Sequence, residues 1–288
     1  MKEEKPKKNS GIIKACKVLK EIHPNKHSDF YLMKISVEVL RQLIDTDWVD
    51  QTFFKIVKTQ KKNEDAFSFF KSQEIGYMWQ SRISNFSENV FNIRKIKNFD
   101  LIVKEIKSGN LVSRYAEIEV GAHLLRRGIK FEFVKPSGKK KLDFDIKIID
   151  DLIVNCEIKH KIESTSLSNN TIKNTLSSAN KQLPQNEPGI IFIQIPQSWA
   201  DDTNTMQILN RIISPFFERN KSHIIGIVLR WEGQDKIFKN VFYSMYKLLE
   251  NDFYETDRLI DKFLDKLKAD SINNEWVFYD DLVKKYII

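Results

Sequence analysis

With 288 residues, 41% of them hydrophobic and 30% charged, the chain has the make-up of a folded protein with apolar mass for one large domain or two modest ones. Nine glycines and seven prolines exclude a collagen-like or linker-dominated chain, and two cysteines, Cys16 and Cys156, exclude a disulfide framework and a four-cysteine zinc site. The net charge of +8 admits a nucleic-acid partner, and because residues 250–288 hold ten acids against six bases, about +12 falls on the first 249 residues. No apolar run approaches the ~20 residues of a spanning helix. The opening MKEEKPKKN is charged, and Lys14 and Lys17 interrupt the apolar run after it, unlike a secretory signal. A reducing, cytoplasmic setting without a membrane partner is the expectation.

From residue 11 to about 106 the pattern is helical. Apolar residues recur at three and four in Ile13, Cys16 and Leu19 and again in Leu32, Ile35, Val39 and Ile44, and a Phe-rich stretch surrounds Phe67, Phe69 and Phe70. Ser108-Gly109-Asn110 is a turn signal. Beyond it a helix is predicted over 114–127, ending at Gly128, and short β-rich runs follow at 130–134, 142–149, 152–159, 190–195 and 223–231. Helical patterns at 171–183 and 205–219 lie between the later strands. Strands with intervening helices indicate an α/β layer fold. Leu259, Phe263 and Leu267 mark one more helix, with a less regular segment after Trp276.

Two places carry unusual chemistry. On the 114–127 helix, Ile118, Gly121, Leu124 and Leu125 form one face, while Glu119, His123, Arg126 and Arg127 are expected on a solvated side. Glu117 falls inside the apolar arc, where a carboxylate costs several kcal/mol unless it is paired or bound to a metal. Arg114, three residues earlier, is the simplest partner. The second place is 140–161. Alternation sets Leu142, Phe144, Ile146 and Ile148 against Asp143, Asp145 and Lys147, then Leu152, Val154, Cys156 and Ile158 against Asn155, Glu157 and Lys159. A tight turn at Asp150-Asp151 makes an antiparallel hairpin in which paired positions sum to about 300–301. Asp143 is then expected opposite Glu157 or Ile158, with Asp145 one step nearer the turn. Alternation alone fits an ordinary hairpin with a solvated polar face.

The ordered set of Glu117, Asp143 and Glu157-Ile158-Lys159, in a helix–strand–hairpin context, resembles the PD-(D/E)XK nuclease superfamily, and especially its Holliday-junction resolvases and restriction-type members. The resemblance spans roughly residues 113–195, and Leu142 stands where the superfamily's name has proline. It implies a restriction-endonuclease-like α/β core with a mixed central sheet flanked by helices, at 107–235. An N-terminal helical domain at 1–106 and a mixed C-terminal extension at 236–288 complete the expected organisation. It also implies a metal-dependent endonuclease that hydrolyses phosphodiester bonds, in DNA before RNA, with restriction or phage defence as the setting. The alternative is a catalytically inactive nuclease-fold module that binds nucleic acid or protein.

Under the same resemblance Glu117, Asp143, Glu157 and Lys159 are the catalytic set. Phosphodiester hydrolysis calls for a hard divalent cation, Mg²⁺ or Mn²⁺, on oxygen ligands. Asp143 and Glu157 are expected to hold it, with the Ile158 carbonyl a third ligand and Asp145 the alternative acid. Lys159 would orient the attacking water and offset charge on phosphorus, and Glu117 would bind the metal through water or position a second ion. Gln182 is a candidate accessory, and Lys139, Lys140 and Lys141 are candidate phosphate contacts that fit an ordinary solvated loop equally well. His23 and His27 lack a third ligand for zinc, and 136–139 lacks the first glycine of a P-loop. The N-terminal domain is the expected place for self-association or a protein partner.

Overall fold

The computed structural model describes residues 10–53, 78–135, 145–149, 151–161, 165–202, 204–234, 242–270 and 272–287. Asp143 and the lysines at 139, 140 and 141 lie outside the described residues, as does the Phe-rich stretch at 67–70. The helices in chain order are α1 (Ser10–Ile22), α2 (Ser28–Leu43), α3 (Thr46–Phe53), α4 (Met78–Ile93), α5 (Phe99–Lys107) and α6 (Leu111–Arg126). Strands β1 (Phe131–Phe133), β2 (Ile146–Ile149) and β3 (Ile153–His160) follow, then α7 (Asn169–Asn180), β4 (Gly189–Gln194), α8 (Gln197–Asp201), α9 (Thr205–Arg219), β5 (Ile224–Gln234) and β6 (Phe242–Glu250). Helices α10 (Arg258–Lys268) and α11 (Tyr279–Tyr286) end the chain. None of the described helices is long and apolar enough to cross a membrane.

The chain divides into two compact units, one running up to Arg94 and taking in Glu275–Ile288, the other Lys95–Asn274. The boundary drawn from the sequence at 106 falls inside the second unit, within α5. In the first unit the apolar spacing of α1 and α2 does what its period requires. Cys16, Tyr31, Ile35 and Val39 pack with Phe91 of α4 and with Tyr279 and Val283 of α11. The returning segment is tied by polar contacts as well. Trp276 Nε1 donates to Glu88 (3.0 Å), the Tyr279 amide to the other Glu88 oxygen (3.0 Å), and the Val277 amide to Asn92 (2.9 Å).

The second unit is built on a six-stranded mixed sheet of order β1-β2-β3-β4-β5-β6. Pairing is antiparallel from β1 to β3, parallel from β3 through β4 to β5, and antiparallel again between β5 and β6. Helices α7 and α9 supply the parallel crossovers and share one apolar cluster with the sheet, Leu176, Ile212 and Phe216 meeting Ile191, Ile193 and Leu229. Phe192 alternates to the other face, where its ring meets His123 of α6 at 6.4 Å. Thus α6 covers one face of the sheet and α7 and α9 the other. Strand β6, absent from the sequence reading, lies along all of β5 from Gly226–Glu250 to Gln234–Phe242, so residues 242–250 complete the sheet.

The hairpin register also differs from the expectation. Ile149 pairs with Ile153 and Ile146 with Cys156, so paired positions sum to 302. Strand β2 ends at Ile149 and β3 begins at Ile153, one position further along than the tight turn expected, and this shifts every opposition along β3. The solvated side expected for α6 is corrected too. Glu119 and His123 are buried, at 2% and 4% exposure. They are buried because the β5–β6 ribbon supplies their partners: Glu119 pairs with Arg230 at 2.6 Å and His123 stacks on Tyr246 at 3.8 Å between centroids.

Candidate active site

Helix α6 is buried on nearly every side, so its orientation is set by packing. A Cβ placed on Gly121 would come within 3.0 Å of Phe131 and 3.2 Å of Phe133, which is why the helix can lie this close to β1. The helix stops where the sequence says it must. Gly128 takes φ +68°, its amide donates to Leu125 O (3.0 Å), and the Ile129 amide donates to Leu124 O (3.0 Å), a Schellman closure. Held in this way, α6 presents Glu117 at 3% exposure, and Arg114 one turn earlier donates to Glu117 Oε1. The second oxygen, Oε2, is buried without a hydrogen-bond partner.

The hairpin brings the other groups. The Asp145 amide donates to Cys156 O (3.0 Å), which sets Asp145 beside Glu157 at the open end of the β2–β3 pair. Asp145 Oδ2 accepts from the Ile158 amide at 2.7 Å. On β3, Glu157 is aligned with Ile191 and Lys159 with Ile193, so the two side chains share one side of the strand. Lys159 Nζ reaches back to Glu157 Oε1 at 2.5 Å and forward to Gln182 Oε1 at 2.5 Å. Gln182 gets there because α7 ends at Asn180 and the chain turns before β4. Glu157 is 2% exposed, and its Oε2 has no hydrogen-bond partner.

The three acids perturb one another. Burial, then the charge of Asp145, pushes the Glu117 carboxyl well above the usual range against the pull of Arg114. Glu157 is raised by the same two causes against the pull of Lys159. Asp145 is raised by burial, opposed by the Ile158 amide, Arg114 and Lys159. Cys156, next to Glu157 on β3, is held as a thiol by burial and by these acids. Buried carboxylates this close cannot all stay ionised without added positive charge or protons.

Among the described residues, no three His, Cys, Asp or Glu side chains are grouped so as to hold an ion. The donor set still suits a hard cation. Asp145, just before β2, and Glu157 on β3 offer carboxylate oxygens, one of which is unpartnered, and Mg²⁺ is held by one or two carboxylates and keeps several waters. Of the candidates read from the sequence, Glu117, Asp145, Glu157, Ile158, Lys159 and Gln182 come together here. Asp143 and Lys139, Lys140 and Lys141 fall outside the described residues. Arg114 was legible as a partner for Glu117 but not as a neighbour of Asp145, which it also influences. A cavity of about 740 Å³ between α1 and α2 in the first unit is lined by none of these residues. The chain matches no protein-family model, and comparison with curated proteins and with solved structures returns no match.

Proposed function

We propose that the chain is a divalent-metal-dependent endonuclease with a PD-(D/E)XK core, cutting phosphodiester bonds in DNA, with restriction or phage defence as its setting. The observation that carries this reading is the electrostatic coupling of Glu117, Asp145 and Glu157, with Lys159 paired to Glu157, in a buried cluster from one helix and one hairpin with two carboxylate oxygens lacking a hydrogen-bond partner. Purely structural acids would be expected to end on protein donors.

Asp145 and Glu157 would hold the ion, with the Ile158 carbonyl beside them. The ion would supply charge for the scissile phosphate and lower the pKa of an attacking water. The Ile158 amide fixes the Asp145 carboxylate through its 2.7 Å hydrogen bond. Lys159, steadied by Glu157 and Gln182, would orient the water and stabilise negative charge that grows on the phosphoryl oxygens in the transition state. Glu117, held by Arg114, would accept a proton or a hydrogen bond from a water at the edge of the cluster. The net charge of +8 suits a polyanionic substrate.

The test is cleavage of plasmid, linear, branched and RNA substrates with Mg²⁺ or Mn²⁺, against EDTA and against Glu157→Gln. Products that need the metal and vanish in the variant support the enzyme. Salt-sensitive binding without products on any substrate would replace it with a nuclease-fold binding module.

A further inference from the structure

We infer that the cavity between α1 and α2 binds a free single-chain amphiphile, an apolar chain ending in one carboxylate, with Arg94 as the group that takes the anion. Its lining belongs wholly to the first unit, so the inference stands apart from the nuclease reading. The first support is the cavity itself. Its volume of about 740 Å³ falls within the ~300–1,000 Å³ usual for small-molecule pockets. Its walls are apolar, with Ala15, Val18 and Leu19 from α1, Ile35 and Val39 from α2, and Phe91 from α4. Val18 is 42% exposed, so the apolar lining continues to the surface, where a hydrocarbon chain would withdraw it from water.

The second support is the polar border. On α2 the groups answer one another: Arg41 pairs with Asp50 of α3 (2.7 Å), and Gln42 donates to Glu38 (2.9 Å). Lys34 is exposed and rests over the Phe30 ring at 5.6 Å. Arg94, directly after α4, differs from all of these. Its guanidinium lies 3.7 Å from the centre of the Phe91 ring and donates through Nη1 to Phe91 O. No acid among the described residues pairs with it, and its Nε and Nη2 make no hydrogen bond to them. Burial draws its pKa below the usual arginine value, opposed by Tyr279. A partly buried guanidinium without an acid keeps an unmet preference for an anion, and two free N–H edges suit a carboxylate. Apolar walls with one unanswered cation thus call for one anionic head on an apolar body. Glu38 on the same border would repel an anionic bilayer, which favours a free amphiphile over a membrane surface.

Calorimetric titration of the full chain with decanoate, below its micelle concentration, and with uncharged decan-1-ol tests the inference. The wild-type chain should take one decanoate, at least about tenfold more tightly than the alcohol, the scale of a charge-assisted contact. Octanoate, two methylenes shorter, should bind about tenfold more weakly than decanoate, because each buried methylene is worth about fourfold. Arg94→Gln should lower decanoate to the affinity of the alcohol and leave the alcohol within about threefold of its wild-type value. Ala15→Trp, which fills the cavity, should abolish binding of both. If Arg94→Gln fails to fold by circular dichroism, the comparison of decanoate, octanoate and decan-1-ol on the wild-type chain decides. Absence of decanoate binding, equal affinity for acid and alcohol, or unchanged decanoate affinity in folded Arg94→Gln would each overturn the inference. So would loss of the helical signal during titration, or co-sedimentation with phosphatidylglycerol vesicles by a chain that ignores decanoate, which would assign the face to a membrane. Cleavage assays are untouched by any of these results.

Discussion

The buried ion network between α6 and the β5–β6 ribbon gives the sharpest stability prediction. Arg230 is 1% exposed, and one of its terminal nitrogens, Nη2, donates to Glu119 (2.6 Å), Glu232 (2.7 Å) and Ser244 Oγ (3.2 Å). Its Nε donates to the Tyr246 hydroxyl (3.2 Å), and Tyr115 donates to Glu232 (2.8 Å). Arg230→Met keeps the volume roughly constant and strands two carboxylates at 2% and 7% exposure. Removing one partner from such a pair costs about 3–5 kcal/mol, chiefly the penalty of the charges left behind. For a unit of about 180 residues, each kcal/mol moves the midpoint by about 2–4 °C, so the transition should fall by about 6–20 °C. Replacing the acids as well, in Arg230→Met/Glu119→Leu/Glu232→Leu with Tyr115→Phe to remove the orphaned hydroxyl, should recover most of that loss. Thermal unfolding followed by circular dichroism reads both. A single variant within about 3 °C of wild type, or a multiple variant no better than the single one, refutes the view that this network is structural.

Three further outcomes follow from the geometry. Asp145→Asn should remove cleavage more completely than Asp143→Asn in single-turnover assays, since Asp145 is the acid tied to the Ile158 amide; the reverse ranking breaks the argument from register. Lys159→Met should bind DNA as wild type does but cut about 10²–10³-fold more slowly, because its charge acts on the transition state, and normal cutting would return Lys159 to a packing role. Gly121→Ala should destabilise by about 1–3 kcal/mol in urea titration despite the better helix propensity of alanine, because the methyl group meets Phe131 and Phe133. An unchanged or higher midpoint would mean that β1 yields freely.

What could be read from the sequence, and what could not, divides by the range of the interactions involved. Glu157 and Lys159, which alternation alone fits to an ordinary solvated hairpin face, stood out only as part of the ordered set with Glu117, whereas Glu117 stood out because local period shows an acid inside an apolar helical arc. The end of α6 was legible for the same reason, since Gly128 supplies a left-handed residue where the helix must close. The ranking of Asp143 over Asp145 depended on the hairpin connection, and one additional residue there moved the register. Glu119 and His123 looked solvated because a polar residue at helical spacing says nothing about a partner 111 positions away, and Arg230 is that partner for Glu119. Strand β6 ends in Lys-Leu-Leu-Glu, which reads as helix; pairing with β5 overrides that preference. The packing of α11 with α1 and α2 is likewise a long-range contact that no local pattern announces.

Glu117 and Glu119 make the strongest internal comparison. They are two residues apart on one helix and equally buried, at 3% and 2%, so burial alone cannot separate their roles. Glu119 runs into Arg230, an arginine itself enclosed by a second acid and a tyrosine on the neighbouring ribbon. Glu117 meets Arg114 on one side only, and its other oxygen lies in a space shared with Asp145 and near Glu157, whose own Oε2 is also unanswered. A helix that stores two buried acids pays the desolvation cost twice. On the β5–β6 side Arg230 meets that cost for Glu119 while also pairing with Glu232. On the hairpin side burial and the neighbouring Asp145 push the Glu117 and Glu157 carboxyls up, and each keeps one buried oxygen without a hydrogen-bond partner beside a positioned lysine, the kind of perturbed cluster that marks a functional site.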